Sequence, residues 1–267
     1  MTTPRIVSAL TIAGSDSGGG AGIQADLKTF AAHGVHGLSA IAALTAQHTR
    51  GVTAVHVPPV DFLRAQIDAC FDDFDVGVVK LGMLANAGVI AVVAEAIERY
   101  QPRFVVLDPV MIATSGAKLL ADDALDALRV RLLPLATIVT PNIPEAELLT
   151  GLAIDDAHAA DAALAELRAR GAHAALLKGG HLDEGAQVVD RYADATTTAR
   201  FVHQRIAIDG HGTGCTLASA IAAQLCLGMP LALACAAATD YVYRALAQAY
   251  RPGRGEVAVL DHFGARA

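Results

Sequence analysis

Gly212-Thr213-Gly214-Cys215, reading on into Thr216-Leu217-Ala218-Ser219-Ala220-Ile221, sets two glycines and a thiol where a helix is predicted to begin. The first turn of a helix has backbone N–H groups without partners, and the helix dipole adds partial positive charge there. Such an end holds phosphate or another anion. A thiol at the same point reaches whatever the N–H groups hold, and the helix start is expected to lower its pKa. By itself the segment also reads as a glycine-rich turn into a buried helix with a small apolar cysteine. The rest of the chain decides between the two.

Other chemistry-bearing residues stand just after apolar runs. Gly14-Ser15-Asp16-Ser17-Gly18-Gly19-Gly20-Ala21-Gly22 follows the first run and Thr45-Ala46-Gln47 the second. Lys80-Leu81-Gly82-Met83, Asp108-Pro109-Val110-Met111, Thr140-Pro141-Asn142-Ile143-Pro144-Glu145 and Lys178-Gly179-Gly180-His181 follow later ones. Taken singly, each has a plain structural explanation. Asn142 and Glu145 have capping-box spacing, Asp108 before Pro109 suits a turn, and Asp26 favours the first turn of a helix. Lys178 suits a solvated strand end, Gln47 a loop hydrogen bond, and Met83 a core position. Their convergence shifts the balance, because ligands of an open parallel sheet bind beyond the carboxyl ends of its strands.

The row suits a phosphorylated ligand with a metal ion. Phosphoryl transfer needs Mg²⁺ on the phosphates, cations or N–H groups for the equatorial oxygens, and an acceptor hydroxyl in line. Asp108 and Glu145 are expected to organise a hydrated Mg²⁺, which uses few protein carboxylates. Lys178 would neutralise phosphate charge, and Gly212 to Cys215 would form the anion hole. Gly20-Ala21-Gly22-Ile23-Gln24-Ala25 matches G-x-G-x-x-A, but Leu44-Thr45-Ala46-Gln47 lacks the acidic residue that holds a dinucleotide ribose. No G-x-x-x-x-G-K-[ST] segment occurs, which excludes a P-loop enzyme.

These residues need a scaffold, and the 267-residue chain alternates β-rich runs with amphipathic segments. Strands are predicted at Val7–Ala13, Gly37–Leu44, Val52–Val57, Val76–Leu81, Phe104–Leu107, Thr137–Val139 and Ala174–Leu177. Helices are predicted at Ile23–His33, Pro59–Phe71, Ala87–Tyr100, Asp122–Leu132 and Ala157–Arg170. Gln187–Tyr192 and Arg200–Ile206 read as an antiparallel pair, followed by long helices near Thr213–Leu227 and Pro230–Tyr250. This pattern predicts one α/β domain over residues 1–267, with a mainly parallel central sheet flanked by helices on both faces. A net charge of −7 argues against nucleic-acid binding. No apolar run reaches the ~20 residues of a membrane helix, and Ile6–Ala13 is too short and too broken for a signal peptide. Cys70, Cys215, Cys226 and Cys235 show no CxxC spacing, so reduced thiols in a cytoplasmic protein are expected. The ten histidines form no ligand pattern.

The run Ala13-Gly14-Ser15-Asp16-Ser17-Gly18-Gly19-Gly20-Ala21-Gly22-Ile23-Gln24-Ala25-Asp26-Leu27-Lys28-Thr29 closely resembles the N-terminal signature of bacterial hydroxymethylpyrimidine/phosphomethylpyrimidine kinases. These are thiamine-biosynthesis enzymes with a ribokinase-like fold. The resemblance continues through the blocks named above to His211-Gly212-Thr213-Gly214-Cys215-Thr216. It implies ATP-dependent phosphorylation of 4-amino-5-hydroxymethyl-2-methylpyrimidine and then of its monophosphate, with ATP and Mg²⁺ as cofactors and a homodimer as assembly. By the same resemblance Gly14, Asp26, Gln47, Met83 and Val110 form the pyrimidine site. Gly212, Thr213, Gly214, Lys178 and Cys215 are implied as the catalytic group, Cys215 as base. Asp108, Asn142, Glu145 and Lys178 match the nucleotide side. A pyridoxal or pyridoxine kinase of the same branch, or a non-catalytic pyrimidine-binding sensor, stays open as an alternative. The chain departs from the family at Asp209-Gly210, often Asn-Thr, and at Gly253-Arg254-Gly255-Glu256, where relatives often carry Gly-Pro.

Overall fold

The computed structural model describes residues 7–111, 121 and 123–266. The chain begins with β1 (Ser8–Asp16), α1 (Gly22–Ala32), β2 (His36–His48), β3 (Gly51–His56) and α2 (Val60–Asp73). Next come β4 (Val76–Leu81), α3 (Ala87–Tyr100), β5 (Phe104–Leu107), α4 (Ala124–Ala127), β6 (Ile138–Val139), α5 (Ile143–Thr150) and α6 (Ala157–Ala169). The last part holds β7 (Ala174–Leu177), β8 (Gln187–Ala193), β9 (Thr198–Gln204), β10 (Gly210–His211), α7 (Thr213–Cys226), α8 (Leu231–Ala247) and β11 (Ala258–Val259).

Nine strands form one sheet in the order β3-β2-β1-β4-β5-β6-β7-β8-β9. The pairings from β2 to β7 are parallel, while β3, β8 and β9 add antiparallel at the two edges. All six residues of β4 and all four of β7 are buried. Such continuous burial is what a parallel strand covered on both faces requires. One apolar cluster joins Leu10, Ile12 and Leu81 to residues of α2, α3, α5 and α6. The other joins Ala9, Val78 and Val106 to residues of α1, α7 and α8. Each fully buried Leu or Ile in these layers contributes roughly 1.5–3 kcal/mol. Among the described residues no helix is long and apolar enough to cross a membrane.

The sequence-based elements agree in type and order, with informative differences. β1 runs to Asp16, and β2 to His48, so Gly14, Asp16, Thr45 and Gln47 stand on strand ends rather than in loops. Gly, Ser and Asp are poor strand formers, but here the ladder between β1 and β2 continues through them. β2 and β3 form a hairpin that strand–helix alternation did not anticipate. α5 was visible in the sequence only through its cap. The predicted start at residue 122 lies outside the described residues, and the helix over Ala124–Ala127 continues as a π-turn at Leu128–Leu132. The small pair β10–β11 has no sequence signal.

Candidate active site

The carboxyl ends of β1, β2, β4, β5, β6 and β7 open into a cavity of about 650 Å³, which the first turn of α7 closes from the other side. Gly212 is the N-cap of α7 with φ +85°, and a Cβ there would lie 2.0 Å from the Gly20 carbonyl oxygen. Only glycine takes that backbone shape and that contact without strain. The turn therefore seats on the Gly-rich loop after β1. A Cβ at Gly214 would stand 3.0 Å from the Lys178 ammonium, so the bare backbone lets a cation rest against the helix start. Positive charge and first-turn N–H groups thus point into the same space.

Lys178 follows β7, and its Nζ donates to Asp108 Oδ1 at 3.0 Å and lies 3.6 Å from Glu145 Oε2. Asn142 and Glu145 form a complete capping box on α5. The Asn142 N–H donates to Glu145 Oε2 at 2.8 Å, and the Glu145 N–H donates to Asn142 Oδ1 at 2.9 Å. The capping explanation and the site explanation both hold, because the carboxylate that caps the helix also faces Lys178. Burial pushes the Glu145 carboxyl up from its usual range, against the pull of Lys178. Burial opposes the Lys178 charge too, but Asp108 and Glu145 more than offset it and hold the ammonium above its ordinary value. Asp108 Oδ2 is buried and has no hydrogen-bond partner among the described residues. A carboxylate oxygen left unpaired in this way, beside a second carboxylate, fits a hydrated divalent cation.

Cys215 corrects one expectation. Its thiol is pushed up to about 11, not down. Burial is the largest cause, the Lys80 ammonium opposes it, and the Asp26 and Asp108 carboxylates add to it. The helix start alone does not outweigh desolvation in this site.

Asp26 stands apart from the other residues of the implied pyrimidine site. It is fully buried and absent from the cavity wall. Its carboxylate accepts from Thr11 Oγ1 at 2.6 Å, Ser219 Oγ at 2.7 Å and Lys80 Nζ at 2.9 and 3.0 Å. The side chain that does reach the cavity is Lys80, itself fully buried and held above its ordinary pKa. Burial opposes the Lys80 charge, and Asp26 restores it. Of this buried pair, Lys80 lines the cavity and Asp26 does not.

Gly14, Gln47, Met83 and Val110 line the other half of the cavity. Met83 packs with Ala43, Ala85 and Val110 into an apolar wall. Register shifts at Ala13/Gly14 and Ala46/Gln47 mark bulges in β1 and β2, and bulges of this kind re-aim side chains beside active sites. Asp16 organises the adjoining loop. It accepts from the N–H groups of Gly18 at 2.7 Å, Gly20 at 3.0 Å and Ala21 at 2.9 Å, and lies 3.0 Å from His211 Nε2.

The cavity therefore brings together every implied site residue except Asp26. Lys80, Asp16 and His211 stand within the sequence motifs but carried no role there. A lysine inside the otherwise apolar run Val76–Leu81 was the available signal, since a charge on a doubly covered strand demands a buried partner. A second cavity of about 240 Å³ shares Lys178, Gly180, Thr213 and Gly214 with the first. It runs between β9 and the α7–α8 pair, with Leu217, Val242, Tyr243 and Leu246 on its walls. Nothing local in the sequence pointed to it, because its walls come from β8, β9, α7 and α8, which are separate along the chain.

An α/β sheet whose strand ends bring a glycine-rich helix start against a lysine–carboxylate cluster defines a ribokinase-like small-molecule kinase. Solved structures agree. A Bacillus subtilis pyridoxal kinase in complex with ADP superposes with a TM-score of 0.89 at 33% identity, covering 98% of this chain and 99% of that one. A phosphomethylpyrimidine kinase from Clostridium difficile 630 gives a TM-score of 0.80 at 42% identity, covering 88% and 97%. The hydroxymethylpyrimidine/phosphomethylpyrimidine kinase of Rhizobium meliloti (strain 1021) is 53% identical over 93% of this chain and 95% of its own length. The profile of the phosphomethylpyrimidine kinase family matches residues 16–260, and the chain belongs to that family.

Proposed function

We propose that this protein transfers the γ-phosphoryl group of ATP to 4-amino-5-hydroxymethyl-2-methylpyrimidine and then to the resulting monophosphate, for thiamine biosynthesis. The observation that carries the reading is the cavity itself. It joins an amide and apolar wall (Gln47, Met83, Val110) to a phosphate end (Lys178 and the Gly212–Cys215 turn). Gln47 offers a donor and an acceptor to an aminopyrimidine edge, while Met83 and Val110 cover the ring. The adenine of ATP fits the second cavity, whose apolar walls adjoin Lys178 and Thr213.

In the transfer, the acceptor hydroxyl oxygen forms a bond to the γ-phosphorus as the bond to the ADP oxygen breaks. Lys178 and the N–H groups at the start of α7 hold the equatorial oxygens of the moving group. Cys215, in its thiolate form, takes the hydroxyl proton onto sulfur and becomes the neutral thiol. Asp108 and Glu145 would hold Mg²⁺, and the orphaned Asp108 Oδ2 fits that role. Bound there, Mg²⁺ supplies charge neutralisation across the phosphates. Asn142 holds Glu145 in place through the capping box. The homodimer implied by the resemblance and the cytoplasmic setting expected from the cysteines belong to the same reading; the edge strand β3, with Val55 exposed, supports a pairing surface.

A coupled ADP-release assay with the pyrimidine alcohol, its monophosphate and pyridoxal as acceptors tests the proposal. Turnover of both pyrimidines, with a higher kcat/KM than for pyridoxal, is the expected result. Preference for pyridoxal would reassign the protein to the neighbouring kinase activity, and no turnover at all would leave a pyrimidine-binding sensor.

A further inference from the structure

Gln47 Nε2 lies 3.0 Å from His211 Nε2, and Gln47 Oε1 lies 3.0 Å from Thr45 Oγ1. The same His211 nitrogen is 3.0 Å from Asp16 Oδ2. Asp16 already accepts three backbone N–H groups, so its carboxylate is ionised and offers only lone pairs. Burial alone would raise its pKa, but the hydrogen bonds from His211, Ala21 and Gly18 outweigh that and lower it. His211 Nε2 must therefore carry a proton to face Asp16, whatever its other ring nitrogen does. An amide N–H₂ opposite that N–H makes no hydrogen bond. At the far end the single Thr45 hydroxyl proton is shared between two acceptors, Ser15 O at 2.9 Å and Gln47 Oε1.

Turning the Gln47 amide end for end resolves both conflicts. Its oxygen then accepts from His211 Nε2–H in a three-centre bond shared with Asp16. Its nitrogen donates to Thr45 Oγ1, and the Thr45 hydroxyl donates to Ser15 O. The two ends of a carboxamide are distinguished by such partners.

We propose that Asp16, His211 and Thr45 are positioning residues that fix the Gln47 amide with oxygen toward His211 and nitrogen toward Thr45, and so set the direction in which the pyrimidine lies. The consequence rests on the function proposed above. In the pyrimidine alcohol, the ring nitrogen, the exocyclic amine and the hydroxymethyl group follow one another along one edge. An amide oxygen on the His211 side accepts from the amine, and the amide nitrogen donates to the ring nitrogen on the Thr45 side. The hydroxymethyl group then comes next to the amine, on the side where His211 leads into Gly212 and α7. The opposite amide direction would reverse the edge and turn the hydroxyl away from the anion hole.

Nitrogen NMR on isotope-labelled protein without substrate tests the amide direction. The expected result is a directly bonded proton on His211 Nε2 and no nitrogen–nitrogen coupling across to Gln47. An unprotonated Nε2 coupled to the Gln47 amide would overturn the proposal. Kinetics test the consequence. Thr45→Val removes the acceptor that orients the amide nitrogen, so reversed, unproductive binding should lower kcat and KM together by about three- to tenfold, the worth of one neutral hydrogen bond. Thr45→Ser should restore both. A rise in KM with kcat intact would instead mean a lost contact and refute the directional role. Should the wild-type protein fail to phosphorylate the pyrimidine, the proposed function falls while the NMR result still decides the amide direction.

Discussion

The raised pKa of Cys215 leads to a sharp kinetic test of its role as base. With the thiol pushed up to about 11, only about one molecule in 10⁴ carries the thiolate at pH 7, and about one in 10² at pH 9. The sign follows from the neutral acid form: raising pH toward 11 adds the form that accepts a proton. If the thiolate is the base, kcat/KM for the pyrimidine alcohol should rise about tenfold per pH unit, or roughly 100-fold between pH 7 and 9. Pre-equilibrium ionisation of the alcohol would give the same slope, so the variant decides. Cys215→Ala should be slower by about 10²- to 10⁴-fold at pH 9, with its pH slope flattened. ATP affinity should hold, because the backbone N–H groups of the turn remain. ADP release would be followed in buffers of constant ionic strength, with unfolding monitored in parallel. A wild-type profile that stays flat, or a variant within tenfold of wild type, would refute the base assignment. Catalysis would then rest on positioning and the anion hole, which a loose phosphoryl-transfer transition state permits.

Glu145→Gln keeps a capping residue at the third position of α5 but removes the charge beside Asp108; it should leave the urea midpoint nearly unchanged and raise the Mg²⁺ concentration needed for half-maximal rate, and an unaltered Mg²⁺ titration would confine Glu145 to capping. Gln47→Ala should weaken phosphorylation of the alcohol and of its monophosphate together, whereas Lys178→Ala should harm the second reaction more, since an additional phosphate must be neutralised. Selective loss of one reaction in Gln47→Ala would contradict a shared site. Asp26→Ala strands a fully buried ammonium at Lys80 and should cost about 3–5 kcal/mol in denaturant unfolding; a loss under about 1 kcal/mol would mean that Lys80 readily finds water or another partner.

Much of this protein is fixed by local sequence. Continuous apolar runs such as Val76–Leu81 specify strands covered on both faces, because only a doubly wound sheet buries both sides of such a strand. The helix start at Gly212 and the cap at Asn142 are equally local, since their chemistry lies within four residues. Alternation then gathers the strand ends on one edge, and that alone groups Asp108, Glu145, Lys178 and Cys215. Tertiary structure alone decided what those groups face. Asp26 lies only three residues into the predicted helix, yet its carboxylate is spent on Thr11, Lys80 and Ser219, contributed by three other elements. Cys215 stands at a helix start that should acidify it, but the burial that raises its pKa depends on everything packed around the site. The same is true of the Gln47 amide, whose direction is set by His211 from 164 residues away. Periodicity and caps depend on neighbours along the chain, whereas desolvation and hydrogen-bond direction depend on neighbours in space.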